Sequence, residues 1–234
     1  MTPYMADLIV NQNDLDTLAL ATKDAVNCAF SGMAHNASDM ERAERVAKQA
    51  AMEVLNANSA ELQSTFGILR EVVQRTAATP GSRSIVLVSP GFLTQTPDTR
   101  QAVAELIDRA LHANIIVNTL NVAGLTTPTP APNASHPADP VMSSRLAREE
   151  ALDRTDVLAN LAYSTGGTYF HNNNDLDEGF RRTADSPEYI YVLGFSPQKL
   201  DGKFHKLKVT LKGTESLAVQ ARQGYYALKP IQTP

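Results

Sequence analysis

The sequence predicts an α/β protein, a parallel sheet covered by helices and followed by a C-terminal antiparallel β-meander. Three observations carry that reading. Ser84 to Ser89 is a short apolar run rich in β-branched residues, introduced by Pro80-Gly81 and halted by Pro90-Gly91, which is the form of a strand buried on both faces. A helical pattern precedes it, another follows, and a second strand comes at Ile115 to Asn121, the alternation of a parallel sheet. From Glu188 onward the period changes to two.

The elements follow in order. Leu15, Leu18, Thr22, Ala25 or Val26 and Ala29 fall at helical spacing, with Asn13 or Asp14 as N-cap and Gly32 as the stop. Ser38-Asp39-Met40-Glu41 has the form of a capping box for a helix to about Leu55. Asn58 with Glu61 marks the start of a further helix, with Leu62, Phe66, Leu69 and Val73 as its core stripe. After the central strand, Thr96-Pro97-Asp98 opens a helix whose buried face is Val103, Leu106, Ile107, Ala110 and Leu111. Val122 to Ser144 holds five prolines and reads as a long irregular loop leaving the same end of the sheet as Ser89 to Phe92. A helix over about Arg148 to Tyr163, with Leu152, Leu158 and Leu161 inward, leads through Gly166-Gly167 to a short strand, Thr168 to His171. Asn172 to Asp175 caps a helix containing Leu176 and Phe180. Tyr189 to Phe195, Phe204 to Leu211 and Leu217 to Ala221 form the meander, turning at Asp201-Gly202 and exposing a basic face. The expected organisation is a helical segment over 1–80, an α/β core over 81–187 and the meander over 188–230.

Composition excludes several classes. The 234 residues carry a net charge of -4 with acids and bases mixed, so no basic face addresses nucleic acid. The single cysteine, Cys28, lies in an apolar helical stretch and is expected to be a buried, reduced thiol. Asp7, Asp14 and Asp16 interrupt the first twenty residues, which therefore lack the pattern of a signal peptide or membrane span.

Several segments together resemble the von Willebrand factor A-related domain family of acidobacterial type. They are Pro80 to Phe92, Asn114 to Leu125, Leu158 to Gly167 with Phe170, Asn174-Asp175-Leu176, and Tyr191 to Pro197 through Gly202-Lys203-Phe204 to Ala221 to Tyr226. The resemblance runs from about residue 60 onward and rests on order and spacing. It implies a Rossmann-like fold, usually within exported proteins, and no established catalysis. The family fold is known for a metal-dependent adhesion site in which an Asp-x-Ser-x-Ser motif, a Thr and an Asp hold a divalent ion through hard oxygen ligands. That motif does not occur in this sequence, and Pro90 stands where the acid after the fourth strand is expected. The expectation is a lost metal site, no cofactor, and a divalent ion only if a missing N-terminal strand supplies its ligands. No strand precedes residue 84, so the first strands of the family sheet are missing and Ser84 to Ser89 is left as an edge. Either the chain is the C-terminal part of a longer protein, or its N-terminal helices or a second copy shield that edge.

Ligands in parallel sheets sit beyond the carboxyl ends of the strands. The residues placed there are Ser89, Phe92 and Thr94, then Asn121, then His171 and Asn172. The leading reading is a non-enzymatic interaction module that binds a protein partner through this rim, with Phe92 as anchor and neither nucleic acid nor membrane as partner. A hydrolase using the same rim is the alternative; Gly-x-Ser-x-Gly is absent and Pro90 follows Ser89, which argues against a nucleophile there. A structural domain of a larger exported protein is the third reading.

Overall fold

The computed structural model describes residues 1–29, 36–81, 83–94, 96–125, 140–184, 191, 193–196, 204–213, 219, 221 and 224–226. The element order is α1 (Pro3–Val10), α2 (Leu15–Ala29), α3 (Ala37–Ala77), β1 (Arg83–Ser89), α4 (Pro97–His112), β2 (Ile115–Asn121), α5 (Pro140–Thr165), β3 (Tyr169–Phe170), α6 (Leu176–Ala184), β4 (Phe204–Lys206) and β5 (Gly224–Tyr226). The fold is mixed α/β, with a three-stranded parallel sheet in the order β1-β2-β3 and a separate antiparallel pair, β4-β5. The residues group into two compact units. One contains Met1–Thr65, Phe92–Thr99 and Thr127–Arg154; the other contains Phe66–Gly91, Arg100–Thr126 and Thr155–Pro234.

The first unit is helical. Thr2 caps α1 by accepting the Met5 N–H at 3.3 Å, with proline in the first turn, and this short helix goes unread in the sequence pattern. Asp14 caps α2, its Oδ1 accepting the Thr17 N–H at 2.7 Å. Ala6, Ile9, Ala21, Ala47 and Ala51 form one core cluster, where the small side chains on α3 let backbones approach closely; Tyr4, Leu8, Leu20, Leu93 and Leu146 form another. Cys28 is exposed, contrary to expectation: burial in α2 is confined to its first half, at Thr17, Leu20, Ala21 and Thr22.

Three helix boundaries differ from the sequence reading. α3 is one continuous helix of 41 residues rather than two. Asn58 and Ser59 lie in its interior, and the Ser59 hydroxyl donates to the Leu55 carbonyl at 2.9 Å instead of capping a new start. Its cap is Asn36, whose Oδ1 accepts the Asp39 N–H at 3.0 Å and the Ser38 hydroxyl at 2.6 Å, so Ser38 is inside the helix. α5 begins at Pro140, within the stretch read as loop, because a proline in the first helical turn removes no intrahelical bond. Leu152 is 59% exposed rather than inward; Leu146, Val157, Leu158, Leu161, Ala162 and Thr165 are the buried positions of α5.

The second unit is built on the parallel sheet. β1 and β2 pair over seven residues, from Arg83↔Ile115 to Ser89↔Asn121, and β3 adds Thr119↔Tyr169 and Leu120↔Phe170. β2 is the central strand and is buried along almost its whole length. β1 is not buried on both faces as its composition implies. Its apolar residues are half-buried and Val88 is 43% exposed, and among the described residues only one strand flanks it. Arg83 Nη1 donates to the Ala77 and Thr79 carbonyls at 2.6 and 3.2 Å, placing a cation where the C-terminal carbonyls of α3 are unsatisfied. Gly167 allows its backbone to cross β2, since a Cβ there would run into the Val117 carbonyl. Gly179 does the same for α6, where a Cβ would stand 2.5 Å from Leu120 Cδ1 and 2.7 Å from the Phe170 ring.

Among the described residues of the predicted meander, Phe204–Lys206 pairs antiparallel with Gly224–Tyr226, while 207–211 and 193–195, read as parts of strands, make no ladder. Gly32, residues 126–139, 189–190 and the Asp201-Gly202 turn lie outside the described residues.

Candidate functional site

In the second unit the carboxyl ends of β1, β2 and β3 bring three short loops together. The first is tied to the second by its own backbone: Ser89 C=O accepts the Val122 N–H at 3.2 Å. The Ser89 hydroxyl accepts the Gly91 N–H at 3.0 Å, and Gly91 takes the left-handed conformation at φ 89°. The hydroxyl therefore shapes the turn. The second loop is tied to the third by Asn174, whose Oδ1 accepts the Leu125 N–H at 2.8 Å.

Asn121 closes β2 and is buried. Its Oδ1 accepts the Ala123 N–H at 2.9 Å, and its side chain, with that of Thr155 from α5, lies at the Tyr169 hydroxyl. Burial raises the Tyr169 phenol above its ordinary pKa, partly offset by those two polar side chains, which favour the phenolate. Tyr169 is also packed by its aromatic neighbours. His171 stacks on it with centroids 4.4 Å apart and planes inclined by 15°, and Tyr163 meets it edge-on at 6.2 Å. His171 and Asn172 are exposed, and Asn172 adopts φ 52°, a left-handed conformation that asparagine tolerates better than most residues. Asp175 then caps α6 by accepting the Glu178 N–H at 2.9 Å.

Four of the six residues placed at the rim by sequence reasoning, Ser89, Asn121, His171 and Asn172, are therefore neighbours in one network of loops. The other two, Phe92 and Thr94, belong to the first unit. Phe92 is buried at 9% exposure, which is core packing and not the anchor envisaged for it. Tyr169 and Asn174 are what the sequence reading missed. Tyr169 lay inside a predicted strand and Asn174 inside a predicted cap, and only the pairing of β2 with β3 sets them against Asn121 and Leu125.

The chemistry available is recognition by amide, imidazole and aromatic groups. Among the described residues no three His, Cys, Asp or Glu side chains converge as metal ligands. No described helix is long and apolar enough to cross a membrane. A groove in the first unit is lined by Asp7, Asn58, Ser59, Leu62 and Thr96. The Asp7 carboxylate there is already occupied by Asn11 Nδ2 at 2.7 Å and Gln12 Nε2 at 3.1 Å. Comparison of the chain with family models, with curated proteins and with solved structures finds no match.

Proposed function

We propose that the chain is a non-enzymatic interaction module of von Willebrand A type that binds a protein partner through the loops at the carboxyl ends of its parallel strands, without a metal ion. The observation that carries this reading is the exposed His171, stacked on Tyr169, whose ring Tyr163 meets edge-on. A ring fixed in this way loses little freedom when a partner covers it, and an aromatic surface beside exposed amides suits a polar protein face. Ser89 supports the same reading, since its hydroxyl is engaged in a turn, accepting the Gly91 N–H.

Clustered anchors dominate binding at recognition surfaces. Independent binders selected from a display library against the intact chain should therefore converge on this rim and lose at least tenfold in affinity against His171→Ala. Binders that ignore His171→Ala and Asn172→Ala, while both variants remain folded, would refute the assignment. Turnover of an activated ester, abolished by Ser89→Ala, would put the hydrolase reading in its place. A rise in unfolding temperature with Mg²⁺, Mn²⁺ or Ca²⁺ would restore the metal site.

A further inference from the structure

β1 has the composition of an interior strand and the position of an edge strand. It pairs with β2 in unbroken register, and among the described residues no strand pairs with its other side. The opposite edge of the sheet is blunted, since β3 offers only two residues. β1 has neither proline nor bulge, and its only charged residue, Arg83, is turned to the Ala77 and Thr79 carbonyls. β1 therefore carries in its own sequence none of the usual protections of an exposed edge.

The hydrogen-bonding phase of that edge can be worked out. Ser89 directs its carbonyl at β2, where Val122 N–H donates to it. Backbone groups alternate along a strand, so Arg83, Ile85 and Leu87 also face β2, and the N–H and C=O of Ser84, Val86 and Val88 point away from it. This phase is self-complementary. A two-fold axis through Val86 sets it opposite the second copy's Val86, Ser84 opposite Val88, and Val88 opposite Ser84. Each of these is a hydrogen-bonded antiparallel pair, so every outward N–H and C=O of those three residues finds a partner. Between them Ile85 meets Leu87 and Arg83 meets Ser89, so no like charges are opposed.

We propose that β1 is a homodimerisation strand, two copies of the chain joining antiparallel about Val86 into one continuous sheet. Closed two-fold dimers are the commonest symmetric assembly, and edge pairing satisfies main-chain groups otherwise left to water. The occupant is the second copy because the register, the hydrogen-bonding phase and the charges of β1 all match β1 itself.

Sedimentation of the intact chain over a range of concentrations tests this. The expected mass is twice that of the 25.3 kDa chain. Val86→Lys, which sets two lysines face to face, should weaken association at least tenfold, as should Val86→Glu, and an equimolar mixture of the two variants should restore the dimer. Circular dichroism checks that both remain folded. A measurement on the unmodified chain guards against misfolded variants: amide exchange at Val86 and Val88 should slow as concentration rises, while that at Ile85 and Leu87 stays constant. A monomer at every concentration, a dimer untouched by folded Val86→Lys, or edge amides that exchange equally fast in the dimer would each overturn the proposal.

Discussion

Thr165→Val exchanges a hydroxyl for a methyl of similar size at a position with no solvent exposure. Thr165 Oγ1 accepts the Val117 N–H at 2.9 Å, and its own proton is best placed for the Leu161 carbonyl at 2.8 Å. Val117 directs its N–H to the side of β2 where Thr119 N–H reaches the Thr168 carbonyl at 2.9 Å, but β3 pairs only with Thr119 and Leu120. Among the described residues no strand carbonyl reaches back to Val117. The threonine hydroxyl replaces the missing strand, and without it a buried donor is orphaned at a cost of about 1–3 kcal/mol. The Leu161 carbonyl loses less, since a carbonyl inside a helix also accepts the N–H four residues on. We expect about 2 kcal/mol for the substitution. Thr183→Val is the control: it is also buried, but its hydroxyl only donates, to the Gly179 carbonyl at 2.8 Å, so the loss should stay below about 1 kcal/mol. Thr165→Ser keeps the hydroxyl and loses one methyl, about 0.8 kcal/mol. Native-state hydrogen exchange at the β2 amides, with urea unfolding followed by circular dichroism, measures all three. If Thr165→Val costs no more than Thr183→Val, the argument that a side chain stands in for a strand is wrong.

Two further perturbations probe backbone crossing and helix capping. Gly167→Ala should destabilise the second unit by about 3 kcal/mol, at the upper end of overpacking, because the new Cβ meets the Val117 carbonyl in a crowded crossing; a urea midpoint within error of wild type would show that the crossing relaxes. Thr17, through the hydroxyl it places nearby and the N–H it donates to Asp14 Oδ1 at 2.7 Å, holds the Asp14 carboxyl below its ordinary pKa, so its contribution is present above the unfolded value and lost as pH falls through the lower folded value. Asp14→Ala should then cost about 1 kcal/mol at pH 7, and the gap should close as pH drops below about 4; a gap unchanged down to pH 2 would contradict the capping role.

Much of the architecture was legible because its signals are local. Pro80-Gly81 and Pro90-Gly91 bracket β1 as read, and Thr96 caps α4 by accepting the Thr99 N–H at 3.3 Å. Both depend on residues within a few positions of one another. The misreadings share a different cause. Ser38 and Asn58 have the chemistry of caps, but a capping side chain acts only where the helix ends, and the backbone continues through both. Leu207, Val209 and Leu211 alternate as a strand does, yet alternation forms a ladder only where a partner strand runs alongside. Of the rim, the strand-end placement found Ser89, Asn121, His171 and Asn172, because strand ends are marked by turn residues. It could not find Tyr169 or Asn174, whose partners lie 48 and 49 residues away in the chain, since 169 − 121 = 48 and 174 − 125 = 49.

The sequence by itself determined the order of helices and strands in the sheet-bearing part, because apolar period, caps and breakers act over one or two turns. Tertiary structure decided which half-apolar surfaces are covered. It left β1 and Cys28 more exposed than their composition implies and buried Phe92. It recruited the Thr165 hydroxyl to complete β2 and assembled the Tyr169–His171 stack. Burial and buried hydrogen bonds depend on groups that only chain reversal brings together, and no local pattern encodes them.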